Sequence, residues 1–229
     1  MISMNLGVIW EVTTKETAAA ALQQFSPERG TPMQGISNAQ PTLLSAAWPN
    51  SADSLLRKLL LVLAGTALLA LSAKVQVPFY PVPMTMQTFV VLVIGMAFGW
   101  RLGAATVLLY LAEGAFGLPV FAGTPAKGIG LAYMAGPTGG YLVGFAISAA
   151  IVGYLAERGW DRNLPTTLAA MVIGTAIIFA FGYVWLANLI GLQKAFQFGV
   201  LPFMSAAVFK IALAAAVLPL CWKFLARKT

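Results

Sequence analysis

Histidine is missing from all 229 residues, and cysteine occurs once, at Cys221. The first absence removes imidazole as general base, proton shuttle and metal ligand. Ser-His-Asp, Cys-His and HExxH arrangements are therefore excluded. A lone cysteine leaves neither a disulfide framework nor a thiolate metal cluster. Charge is scarce as well: Asp, Glu, Lys and Arg make up 9% of the chain, against about 25% in a soluble domain. That is too little polar surface to cover a water-soluble globule.

Apolar residues are abundant, at 59% of the chain with a mean hydropathy of +0.83. They gather in runs of membrane-spanning length, which makes a bilayer the natural solvent. The net charge of +7 does not point to nucleic acid. The cations flank hydrophobic runs and follow the topology rule for membrane spans, and there is no aromatic-plus-basic signature of a nucleic-acid binder.

Residues 1–54 stand apart. They are rich in Gln, Ser, Thr, Pro and Asn and hold no long apolar run, a composition that predicts a disordered polar extension. It does not read as a secretory signal, and Met33 offers an alternative start. Residues 55–229 read as an all-α membrane domain with six spans: Leu55–Ala73, Met84–Trp100, Leu102–Phe116, Gly139–Ala156, Leu168–Ile190 and Leu201–Leu225. The second and third are joined by almost nothing, which predicts a tight helical hairpin with Arg101 at its corner. With the N-terminus inside, the inner ends carry Arg57, Lys58, Arg101, Arg158, Arg162, Lys223, Arg227 and Lys228. The outer loops carry only Lys74, Lys127 and Lys194. That imbalance predicts both termini in the cytoplasm.

Two outer connections are unusual. VQVPFYPVP (75–83) has three prolines and cannot be helix. GLPVFAGTPAKGIGLAYMAGPT (117–138) is long, apolar and glycine-rich. Apolar irregular backbone near a membrane packs on protein or lines a cavity, so both loops are expected to fold over the outer helix ends. GTPAKG (123–128) is not a phosphate loop. Its lysine precedes the second glycine, Ile129 follows, and no strand leads into it.

Few ionisable groups lie inside the spans, and such groups face a cavity or a partner. Lys210 sits about 14 Å along the sixth span and needs an anion, either Glu113 of the third span or a ligand carboxylate. Lys127 is either a solvated loop tip or a second cation over the same carboxylate. Gln87 offers a donor and an acceptor to a ureido or amide ligand, or to a neighbouring helix. Tyr133 and Tyr141 are aromatic walls with polar tips, or belt residues at the membrane interface. Thr66, Ala70 and Ala73 line one small face of the first span, fit for a neighbouring helix or another subunit.

Four segments, taken in order, resemble the BioY family of biotin-binding S components of energy-coupling-factor (ECF) transporters. They are SAKVQVPFYPVPMTMQTFVVLVIG (72–95), YLAEGAFGLPVFAG (110–123), GPTGGYLVGF (136–145) and GVLPFMSAAVFKIALAAA (199–216). The resemblance implies six transmembrane helices with both termini cytoplasmic, in a bacterial cytoplasmic (inner) membrane. It implies a biotin cavity near the outer face, capped by the two loops, with biotin as transported ligand and no cofactor. The implied partners are a transmembrane coupling protein and ABC-type ATPases, which alone would hold ATP, or further copies of this chain. Lys210 matches the lysine of the last-helix motif, Lys127 falls near a basic position of the second loop, and Gly123 sits where some relatives place a polar residue. Many relatives carry Asp three residues before the lysine, where this chain has Ala207. Glu113, or the backbone with Gln87, would then serve the ureido group. The competing reading is a secondary transporter of another small carboxylate or vitamin, coupled through Glu113.

Overall fold

The computed structural model describes residues 40–47, 55–78 and 80–226. The expectations for residues 1–39, including the start at Met33, lie outside the described residues. The elements in chain order are α1 (Leu43–Ala47), α2 (Leu55–Lys74), β1 (Gln76–Val77), β2 (Met84–Thr85), α3 (Gln87–Ala115), α4 (Gly130–Met134), α5 (Gly139–Ala156), α6 (Leu164–Ile190), α7 (Leu192–Gly199) and α8 (Leu201–Ala226). Five of these, α2, α3, α5, α6 and α8, are long and apolar enough to cross a membrane.

α3 is not one rod. Gly99 breaks it with φ +80° and ψ 175°, a conformation open in practice only to glycine. The chain then turns back on itself. A Cβ on Gly103 would lie 3.0 Å from the Cα of Gly95, whereas eight residues of continuous helix would separate them by about 12 Å. The second and third expected spans are therefore the two arms of a hairpin. Its corner is Gly99 and not Arg101, because the reversal needs the positive φ. The Glu157 carboxylate accepts the Trp100 N–H at 3.1 Å and so caps the first turn of the second arm.

The hairpin is the centre of the bundle, with α2 and α5 packed against it, α6 on α5, and α8 on α6. Close approach is bought with missing side chains. A Cβ on Gly95 would lie 2.7 Å from the Ala149 carbonyl oxygen, and one on Gly153 would lie 2.5 Å from the Trp100 nitrogen. The Ser148 hydroxyl donates to the Gly174 carbonyl at 3.0 Å and ties α5 to α6. Without water to drive association, such small-residue contacts and interhelical hydrogen bonds hold helices together in lipid. Outward faces carry large apolar residues, for example Leu55, Leu59, Leu63 and Leu71 on α2.

Several details depart from the sequence reading. α6 begins at Leu164 and not at Leu168, since Pro165 is tolerated in a first helical turn. The short helix α7 was not foreseen, and it fills the connection before α8. Residues 40–47, assigned to the polar extension, include α1, whose Leu43 is buried in the core. The first outer loop is non-helical as expected, and its ends pair as a two-residue antiparallel ladder, Gln76 with Thr85 and Val77 with Met84. Thr66 and Ala73 are buried inside the chain and Ala70 packs partly against the core. Much of the small face of α2 thus packs within this molecule, with Ala70 half-buried.

Candidate functional site

A cavity lies beneath the two outer loops, with about 740 Å³ of atom-free space, part of it open at the mouth. Val82 and Pro83 of the first loop and Phe121 and Ala122 of the second form its roof, together with Tyr133 of α4. The first arm of α3 contributes Gln87, Thr88 and Leu92, α5 contributes Tyr141 and Phe145, α6 contributes Thr175 and Phe179, and α8 contributes Phe203, Ala207 and Lys210. The walls are mainly apolar with a few polar groups, the usual make-up of a small-ligand site.

Lys210 is the one charged residue among the described residues that line it, and it is 8% exposed. Its ammonium donates to the Thr85 carbonyl and, at 3.0 Å, to the Thr88 hydroxyl. Both acceptors are uncharged, so the cavity keeps a net positive charge. Among the described residues no carboxylate pairs with Lys210. Glu113 is half-buried and does not line the cavity, so the Glu113–Lys210 pair is not formed. Ala207 lies on the wall one turn before Lys210, and no acidic side chain replaces it there.

Gln87 is buried, and its amide nitrogen donates to the Tyr110 hydroxyl at 2.7 Å. Its oxygen has only a long contact from the Thr85 hydroxyl, at 3.4 Å, and so retains acceptor capacity. Tyr141 donates to the Gly199 carbonyl at 2.7 Å, which anchors a cavity wall to the end of α7. Tyr133 donates to the Ala122 carbonyl at 2.8 Å, and its ring stacks on Phe121 at 4.9 Å between centroids. Burial pushes the Tyr133 phenol above its ordinary pKa, with the Thr138 hydrogen bond opposing, so it stays a neutral donor. The Phe121 ring also meets Tyr110 edge-on at 5.5 Å. Gly114 leaves the room for it, since a Cβ there would be 2.0 Å from Phe121 Cζ.

Of the residues singled out in the sequence, Lys210, Gln87, Tyr133 and Tyr141 converge on the cavity. Lys127 and Gly123 do not. They touch each other on the exposed side of the second loop, where a Cβ on Gly123 would lie 2.8 Å from Lys127 Cδ. Sequence reasoning missed Thr175, a buried cavity hydroxyl on α6, and Tyr110, whose link to Gln87 exists only because α3 folds back. It also missed Lys74, counted there as a loop charge, whose ammonium reaches the second loop.

Residues 41–227 match the BioY family. A probable biotin transporter BioY of Pyrococcus horikoshii is 39% identical over 157 residues, covering 69% of this chain and 91% of that protein. The biotin transporter BioY of Thermotoga maritima is 38% identical, covering 66% of this chain and 88% of that protein. A crystal structure of the S-component for biotin from an ECF-type ABC transporter superposes with a TM-score of 0.62. It covers 73% of this chain and 92% of that chain. At 22% identity that likeness is one of fold.

Proposed function

The chain belongs to the BioY family, and from that premise we propose that it serves biotin uptake as a membrane-embedded binding component, with biotin held in the cavity beneath the loops. It is a transport protein and not an enzyme. The observation that carries the assignment of the cavity is its charge: among the described residues that line it there is one buried ammonium, Lys210, and no acidic side chain. Biotin has a flat neutral bicycle, an acyl chain and one carboxylate. An ammonium has three donors. Two are engaged on Thr85 and Thr88, and a third is left for an incoming carboxylate. Phe121, Tyr133, Phe145 and Phe179 supply apolar and aromatic surface for the ring and chain. The Gln87 amide oxygen suits a ureido N–H, and it takes over part of what a carboxylate at Ala207 would do.

Lys127 and Gly123, on the outer side of the loop, suit an approach role: a cation there raises the local concentration of a carboxylate. The two arms of α3 count as separate crossings in this reading, which gives six, with both termini cytoplasmic. Energy comes from outside the chain, from a coupling protein and ABC-type ATPases, because GTPAKG is not a nucleotide loop. Self-association would be the alternative assembly.

The test is biotin binding by the purified chain without partners. Saturable binding is expected, and its absence would sink the reading. Lys210→Ala should weaken biotin by about ten- to a hundredfold, the worth of a hydrogen bond to a charged group, and biotin methyl ester much less. Equal losses would remove Lys210 from the carboxylate role.

A further inference from the structure

The second loop is held by an unusual set of bonds. Four consecutive carbonyls, from Pro119 to Ala122, each accept a side-chain hydrogen bond. Tyr110 donates to Val120 at 3.1 Å, and Tyr133 to Ala122 at 2.8 Å. Lys74 donates to Pro119 at 2.8 Å and to Phe121 at 3.1 Å. The same ammonium is within 3.3 Å of the Thr124 carbonyl and 3.2 Å of its hydroxyl. The Thr124 hydroxyl in turn donates back to the Phe121 carbonyl at 2.6 Å. These bonds form a strap, and its central residue, Phe121, is part of the cavity roof.

The three donors that reach the strap from outside it, Tyr110, Tyr133 and Lys74, are not equivalent. Tyr110 and Tyr133 are buried and belong to the wall beneath the strap. Lys74 is exposed. It is the last residue of α2, next to the first loop, so it links the outer end of that helix and the start of the first loop to the second loop. Water can replace its bonds without leaving a buried group unpaired, which is not true of the tyrosines. Lys74 is thus the exchangeable fastening of the strap.

We propose that Lys74 is a positioning residue which holds the Phe121 strap over the cavity and thereby sets how long a bound ligand stays. This rests on the biotin-binding reading for its ligand, although not for the movement of the strap. Lys74 is not among the residues that line the cavity, and its hydrogen bonds reach carbonyls of the strap and the Thr124 hydroxyl. Its effect runs through the carbonyls it holds, so it acts on the rate of escape.

Two measurements test this. The first needs no ligand. In a Cys221→Ser background, Ala122→Cys places the single thiol at a cavity position that is 3% exposed. Its reaction with a small membrane-impermeant methanethiosulfonate should be about tenfold faster once Lys74→Met is added, the scale of losing a charged hydrogen bond. Lys74→Arg, which keeps charge and donors, should stay close to the parent. The unfolding temperature in detergent should fall by no more than a few degrees, which separates a lost fastening from general loosening. The second measurement is biotin dissociation from the chain with native Ala122. Lys74→Met should raise the off-rate about tenfold without lowering the on-rate, and Thr124→Val should raise it less. Unchanged thiol reactivity together with an unchanged off-rate in Lys74→Met would overturn the proposal. If the unaltered chain bound no biotin, the biotin reading would fall, while the thiol rates would still decide the role of Lys74.

Discussion

The Gln87 amide nitrogen and the Tyr110 hydroxyl lie 2.7 Å apart across 23 residues of chain, a span that would measure about 34 Å in an unbroken helix. One bond therefore closes the hairpin near its open end and fixes the Gln87 oxygen at the cavity. Gln87→Leu and Tyr110→Phe should each destabilise the chain in detergent by about 1–3 kcal/mol, since Tyr110→Phe strands the buried Gln87 amide nitrogen and Gln87→Leu takes away the donor to a buried hydroxyl that keeps only its bond to Val120. The double variant should lose clearly less than the sum, with a coupling of about 0.5–3 kcal/mol. Strict additivity in thermal unfolding would mean that the bond contributes nothing of its own.

Thr175 presents a hydroxyl to the cavity with no hydrogen-bond partner among the described residues. Thr175→Val keeps the shape and should leave stability within about 0.5 kcal/mol. Biotin affinity should fall by roughly three- to tenfold, the worth of one neutral hydrogen bond. An unchanged affinity would show that the ligand does not use this hydroxyl.

Gly99 turns the hairpin at φ +80°, and a Cβ there would lie 2.6 Å from the Glu157 carboxylate and 3.0 Å from Thr42 Cγ2. Gly99→Ala should cost about 1–3 kcal/mol from backbone strain alone, with further loss as Glu157 is pushed from its cap on Trp100. Gly117→Ala is the comparison: it also has positive φ, but nothing lies within 4 Å of its Cβ position. The unfolding temperature should drop more for Gly99→Ala.

Glu113 is half-buried and away from the cavity lining. Glu113→Gln should therefore leave both biotin affinity and uptake within about twofold, the normal result for a substitution outside a site. Abolished proton dependence of uptake would instead favour a carrier coupled through this carboxyl.

Asp161, on the α5–α6 connection, is fully buried. One oxygen accepts the Trp222 indole N–H at 2.6 Å, and the other has no hydrogen-bond partner among the described residues. Burial raises its carboxyl pKa, with the Trp222 bond and the Arg162 charge opposing. The folded chain then holds this proton more tightly than the unfolded chain. Stability from this group is complete below the ordinary carboxyl pKa. It is lost as pH rises from there to the raised folded value. Unfolding temperatures across mildly acidic to neutral pH should fall in the parent from this contribution. Asp161→Asn, which keeps an acceptor for Trp222, should flatten that slope. An unaltered slope would assign the pH dependence elsewhere.

Much of the architecture was legible because it rests on quantities local to the chain. Runs of apolar residues locate the helices, and Gly139–Ala156 agrees to the residue. The prolines of 75–83 exclude helix there. Short connections also predict a hairpin, although its corner depends on which residue adopts positive φ, and a glycine two positions away won over Arg101. The site was legible in part. A lysine deep in an apolar helix stands out at once, and so does a glutamine among apolar neighbours. What each one touches does not.

Composition, run length and the four ordered motifs by themselves determined a helical membrane protein of the BioY family without imidazole chemistry. The tertiary structure alone decided that Lys210 rests on Thr85 and Thr88 and not on Glu113, that Thr66 and Ala73 face inward, and that Lys74 fastens the second loop. The physical reason is rotational. These helices are apolar on every side, as lipid demands, so their pattern carries little record of which face is turned inward. A side chain's partners are set by the rotation of its helix and by the folding of loops over the bundle, and those follow from packing the whole chain at once.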